Sequence, residues 1–135
     1  MRMILFVTLL GSLFVQAQET KIKKVPITRT SATSGQEMFV TYCAVCHGKD
    51  GKGDGPAVEA LKGKPADLTQ LAKKNGGKYP ENHVVATISS VSTPAHGSKE
   101  MPMWGPLFSS VSSNQGEVHL RVANLTRYIE TLQEK

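Results

Sequence analysis

The sequence predicts an all-α domain of three to five helices joined by long loops. Three observations point there. Val118, Val122, Leu125, Ile129 and Leu132 recur at spacings of four, three, four and three, which lays one apolar stripe along a helix over 117–133. Ser34, a good N-cap residue, precedes Glu37 by three positions, and Met38, Phe39 and Tyr42 follow at helical spacing. No stretch alternates apolar and polar residues as a half-buried strand would, and no internal repeat is visible.

The elements follow in order. The first helix starts after Ser34 and runs into Cys43. Asp50 to Pro56 reads Asp-Gly-Lys-Gly-Asp-Gly-Pro, a loop by composition. Ala57 to Leu61 can form a short helix that Lys62-Gly63-Lys64-Pro65 breaks. Asp67 is placed to cap a helix over Leu68 to Lys74, closed by Asn75-Gly76-Gly77. Pro80 and Glu81 can open another, with Val84, Val85 and Ile88 on one side. Residues 89–116 are rich in Ser, Gly and Pro and read mainly as ordered loop, before the strong last helix.

The 135 residues are enough for one domain, and 39% hydrophobic residues is too apolar for a disordered chain. Aromatic residues are only 6%, so the core has few large rings, a deficit that a bulky cofactor would fill. Two cysteines exclude a multi-disulfide scaffold and any four-cysteine metal site built from this chain alone. At the N-terminus, Met1-Arg2 precedes a nearly continuous apolar run from Met3 to Val15 that ends in Val15-Gln16-Ala17. The run is about 13 residues, short of the roughly 20 that a membrane-crossing helix needs. Residues 1–17 are therefore read as a secretory signal peptide cleaved after Ala17, with an uncleaved anchor as the alternative. The only cysteines lie far from the cut, which excludes a lipoprotein, and export implies an oxidising compartment.

The formal charge of +5 is unevenly spread. Residues 18–33 carry Lys21, Lys23, Lys24 and Arg29 against Glu19, with Pro26 in the middle, and read as a flexible basic arm. Residues 34–135, the core domain, carry eleven basic and ten acidic residues. That balance gives no footprint for nucleic acid.

One motif carries chemistry: Cys43-Ala44-Val45-Cys46-His47. Two thiols three positions apart can add to the two vinyl groups on one edge of a haem. The histidine directly after them then offers its imidazole to the iron, and the spacing is a c-type haem attachment signal. A redox dithiol prefers a βαβ setting, which is not visible. A disulfide leaves His47 unexplained. A zinc site drawing on His47, His83 or His96 lacks a second close ligand pair.

With this motif the chain resembles the small class I c-type cytochromes, single-haem electron carriers of the bacterial periplasm. The resemblance covers residues 34–135 and rests on Cys43 to His47 followed by Gly48, on Met101-Pro102-Met103-Trp104-Gly105 downstream, and on a last helix with Leu125, Tyr128 and Ile129. It implies a cytochrome c-like domain wrapped around one covalent haem c, held by Cys43 and Cys46. His47 and Met101 would be the axial iron ligands, because the family's coordinating methionine commonly precedes a proline with an aromatic residue two further on. Met103, His96 and His83 stay open as alternatives, as does an empty sixth position. The resemblance also implies that Gly35 and Phe39 pack against Leu125 or Tyr128 where the first and last helices cross. A carbonyl near Gly55-Pro56 would orient the His47 ring, and Trp104 would close the pocket or bond a haem propionate.

The function implied is one-electron transfer between transient redox protein partners, with no substrate at the metal and no catalytic residue. The carrier is expected to be a periplasmic monomer. Membrane association would come only through partners or an uncleaved N-terminus. Two rivals stay open: a ligand-binding, sensing or peroxidase haem with an open site, and a subunit tethered in a larger oxidoreductase.

Overall fold

A computed structural model describes residues 27–89 and 101–134. The signal segment, most of the basic arm and His96 lie outside the described residues. Among those described, all regular structure is helical, as the sequence predicts.

The opening helix runs unbroken from Gly35 to His47 in three parts: α1 (Gly35–Met38), a π-helical stretch (Phe39–Cys43) and α2 (Ala44–His47). The Ser34 hydroxyl caps it by accepting the Glu37 N–H at 3.1 Å. The reciprocal half of the capping box is displaced, for Glu37 accepts the Ser31 N–H at 3.2 Å instead of reaching Ser34. In the π stretch the Ala44 N–H reaches back to the Phe39 carbonyl. Such wide turns occur mostly as single insertions near functional sites, and this one stands directly before Cys43 to His47. Gly48, with φ of 77°, ends the helix.

After a 3₁₀ turn (Val58–Ala60), a second 3₁₀ turn (Leu68–Gln70) runs into α3 (Leu71–Lys74). Asp67 caps the pair as expected, accepting from the Thr69 N–H at 3.0 Å and its hydroxyl at 2.6 Å. The Gly77 N–H closes α3 onto the Ala72 carbonyl at 2.8 Å, with Gly76 and Gly77 both at positive φ. Helix α4 (Glu81–Ser89) buries Val84 and Ile88. Helix α6 (Gln115–Thr131) buries Val118, Val122, Leu125 and Ile129. It starts two residues before the expected Glu117, because the Asn114 side chain caps it through the Gly116 and Glu117 N–H groups.

Two expectations need correction. Residues 89–116 are not all loop: 90–100 lie outside the described residues, and 104–111 form α5 (Trp104–Val111). Trp104, Phe108 and Val111 repeat at spacings of four and three and are all buried, so apolar periodicity overrides the Ser- and Pro-rich composition. Pro106 sits in the first turn, where a missing N–H forfeits no intrahelical bond. Nor is the basic segment a free arm throughout, since residues 27–33 pack onto the domain. Ile27 packs against the core, Thr30 is buried, and Asn124 donates to the Ala32 carbonyl at 2.9 Å. The cause is Arg121, 4% exposed, whose guanidinium needs acceptors and finds one in the Thr30 carbonyl at 2.9 Å.

The core forms where α1 crosses α6. A Cβ added at Gly35 would overlap the Asn124 carbonyl oxygen and stand 2.8 Å from Tyr128 Cβ. The Phe39 and Tyr128 rings meet at 5.3 Å between centroids, which bears out the expected packing of Gly35 and Phe39 on the last helix. Gly35→Ala should therefore destabilise the matured protein by about 1–3 kcal/mol, because the two backbones must separate. Gly63→Ala, at a site with nothing within 4 Å, should leave the melting temperature nearly unchanged. Thermal denaturation of the two variants checks this, and equal melting temperatures would refute the close-approach argument.

Candidate functional site

The ends of the opening helix, α4, α5 and α6 enclose a cavity of about 190 Å³. Cys43 and His47 enter it from the opening helix, and Leu68 and Leu71 from the segment beside α3. Val84, Thr87 and Ile88 enter from α4, Met101 and Trp104 from the start of α5, and Leu125 and Ile129 from α6. The walls are almost wholly apolar. Residues more than fifty positions apart in sequence, His47 and Met101, line the same space.

The backbone fixes His47. Its Nδ1 lies 3.0 Å from the Ala66 carbonyl oxygen. A carbonyl only accepts, so Nδ1 carries the proton and Nε2 keeps its lone pair. Burial pushes the His47 pKa down, against a smaller upward pull from the Ala66 carbonyl, so the ring favours its neutral form. The expected partner near Gly55-Pro56 is thus replaced by Ala66. The glycine-rich loop has other work: Gly53 donates to the His47 carbonyl at 2.8 Å and Gly55 to the Cys46 carbonyl at 3.1 Å. These bonds satisfy the orphan carbonyls at the helix end. A Cβ on Gly55 would stand 2.5 Å from the Ala44 and Val45 oxygens, so only glycine fits. A bond from the Leu68 N–H to the Gly51 carbonyl at 2.7 Å then carries the Ala66 segment beneath the imidazole.

No disulfide joins Cys43 and Cys46. Cys43 is buried in the cavity wall; Cys46 is half-buried and outside the lining. Burial, and secondarily the neighbouring Cys46, pushes the Cys43 thiol up to about 12. A dithiol exchange centre needs the reverse, a thiolate near neutral pH. Among the described residues no group of three or more His, Cys, Asp or Glu side chains is placed to hold a metal ion.

The other candidates separate clearly. Met101 is half-buried in the wall, whereas Met103 is 53% exposed and only precedes α5. Met38 is wholly buried in the core. His83 is exposed at the cavity's edge, and His119 is exposed and away from it. Trp104 lines the cavity with its ring 5.3 Å from that of Tyr42 and 5.9 Å from that of Phe108. Thr87 went unnoticed in the sequence. It belongs to the cavity wall, and its Oγ1 is buried with no hydrogen-bond partner. An unpaired hydroxyl among the walls of an apolar cavity suits a space that a bound group fills. Its signal was available: Thr87 follows Val84 by three on the inward face of α4. Ala66 had none, because only its carbonyl is used.

Asp67 holds the loop that presents Ala66. The Thr69 hydroxyl keeps its carboxyl below the ordinary carboxylate range, so its cap contributes stability above about pH 4 that is lost as pH falls through the folded pKa. Asp67→Ala should cost about 1 kcal/mol at pH 7. The gap to wild type should begin to narrow below about pH 4 and close as pH falls through the lower folded pKa, where the wild-type carboxyl protonates. Denaturant titrations at pH 7 and pH 3 check this, and a gap independent of pH would contradict it.

The family model for Cytochrome c matches residues 32–133. No curated protein and no solved structure matches the chain. An imidazole with one bonded and one free nitrogen, directly after two spaced thiols, opens on an apolar, helix-walled cavity, and the match spans this whole domain. The chain belongs to the cytochrome c family, carriers of covalent haem c in electron transfer.

Proposed function

We propose that this protein is a periplasmic one-electron carrier, not an enzyme. Cys43 and Cys46 hold its haem through thioethers, and His47 and Met101 are the axial ligands. The supporting observation is the shared cavity. Imidazole and thioether, the pair that raises a haem's potential relative to other ligations, line one apolar space beside Cys43.

The donor set fits the group. When bound, the haem supplies one-electron chemistry at its iron. The chain's residues do the rest. Ala66 fixes the His47 ring and leaves Nε2 unprotonated for the metal. The Met101 sulfur is a soft donor suited to iron. Val84, Ile88, Leu125 and Ile129 exclude water and keep the surroundings at low polarity, which sets the potential together with the ligands. Partners dock briefly through small interfaces, as redox encounters do. The apolar leader directs export and is removed after Ala17, leaving a monomer without a membrane segment. No described helix is long and apolar enough to cross a membrane.

Substitution of the methionines tests the ligand assignment. Ferric Met101→Ala should lose the weak far-red absorption band of thioether-ligated haem, show a lowered reduction potential and bind carbon monoxide when reduced. Met103→Ala and His83→Ala should behave as wild type. A band that survives in Met101→Ala overturns the assignment. Carbon monoxide binding by untreated ferrous wild type favours the open-site rival instead.

A further inference from the structure

A chain of polar contacts outside the cavity lining links the C-terminal end of α5 to its start. At the helix's C-terminal end, the Ser112 hydroxyl donates to Glu117 at 2.7 Å. Glu117 accepts from Arg121 at 2.8 Å and 3.3 Å. Arg121 in turn donates to the Thr30 carbonyl at 2.9 Å and to the Thr30 hydroxyl at 3.2 Å. The Tyr42 hydroxyl lies 2.9 Å from that Thr30 hydroxyl and donates to the Thr28 carbonyl at 2.5 Å. The Tyr42 ring finally stacks on Trp104, the first residue of α5, and on Phe108 one turn later. The circuit starts at one end of the helix and finishes at the other.

The start of α5 needs such support. No side chain caps it at Met103, and its first residue carries the only indole of the chain into the cavity wall. Gly105 meets the Ser89 carbonyl so closely that the backbone is held on the α4 side, and among the described residues the Trp104 ring meets those of Tyr42 and Phe108. Tyr42 meets that ring while its own hydroxyl is bonded to Thr28 and Thr30.

We propose that residues 28–30 are a positioning strap for the cavity: through Tyr42 they fix Trp104, and with it the Met101–Trp104 stretch of the wall. The segment upstream of the first helix is then part of the functional unit. Tyr42, Thr30 and Arg121 touch no ligand and act through Trp104. The strap's spectral consequence rests on Met101 being the iron ligand; its mechanical consequence does not.

Tyr42→Phe keeps the ring and removes the hydroxyl, and Thr30→Val keeps the shape and removes the hydroxyl that accepts from Arg121 and donates to Tyr42. Tyr79→Phe is the control, since it also deletes a tyrosine-to-carbonyl bond, to Thr126 at 2.9 Å, but Tyr79 lies outside the cavity lining. Hydrogen exchange of the matured protein, followed by mass spectrometry, compares the amides of 104–108 in all three. Both strap variants should exchange there about fivefold faster than the control, the effect of one net hydrogen bond. The ferric far-red band should weaken in both and stay unchanged in Tyr79→Phe. Exchange at 104–108 no faster than in the control overturns the strap, and Thr30→Val decides the matter if Tyr42→Phe does not fold. A wild type without the far-red band would defeat the Met101 assignment alone, and the exchange comparison would still judge the strap.

Discussion

The missing side chain at Gly35 sets the architecture. It lets the opening helix lie backbone to backbone on α6 at Asn124 and Tyr128. Everything at the site is measured from that crossing. Phe39 locks against Tyr128 one turn further on. The wide turn over Phe39–Cys43 then delivers Cys43 and His47 to a cavity whose far wall is Leu125 and Ile129 of the same α6. A bulkier residue at position 35 would move the thiols and the imidazole together, as one rigid unit, away from the wall they face.

A second principle is the use of backbone rather than side chains to set the electronics. The Ala66 carbonyl selects the His47 tautomer, and the glycine-rich loop occupies the helix-end carbonyls. Among the described residues no Asp, Glu, Lys or Arg joins the cavity lining. Walls of this kind would give a haem held by these residues little nearby polarity to reorganise. Arg121, the one buried Asp, Glu, Lys or Arg among the described residues, serves a different purpose: it bonds Thr30 and Glu117 outside the cavity lining.

Much of this was legible in the sequence because it depended on local rules. The Ser34 and Asp67 caps, the stripe of α6 and the inward face of α4 each follow from a few neighbouring residues, while the Gly35–Phe39 contact came from the family resemblance. The Cys43 to His47 motif is local too, while Met101, which the structure places in the cavity wall, was singled out through the family resemblance. What escaped was non-local or chemically silent. Helix α5 was masked by serines and prolines, although Trp104, Phe108 and Val111 keep helical spacing. Ala66 contributes only a carbonyl, brought under His47 by a loop whose path no side chain announces. The docking of residues 27–33 depends on a buried arginine some ninety positions later, so a threonine-rich segment looked like a linker.

The account stands or falls on a porphyrin joined to the peptide beside His47. Protein exported with the cytochrome maturation machinery can be digested, and the fragment spanning residues 43–47 weighed intact. The account predicts that fragment at its peptide mass plus one haem, with both Cys43 and Cys46 blocked to thiol reagents. A fragment at the bare peptide mass, with either thiol still reactive, would contradict it.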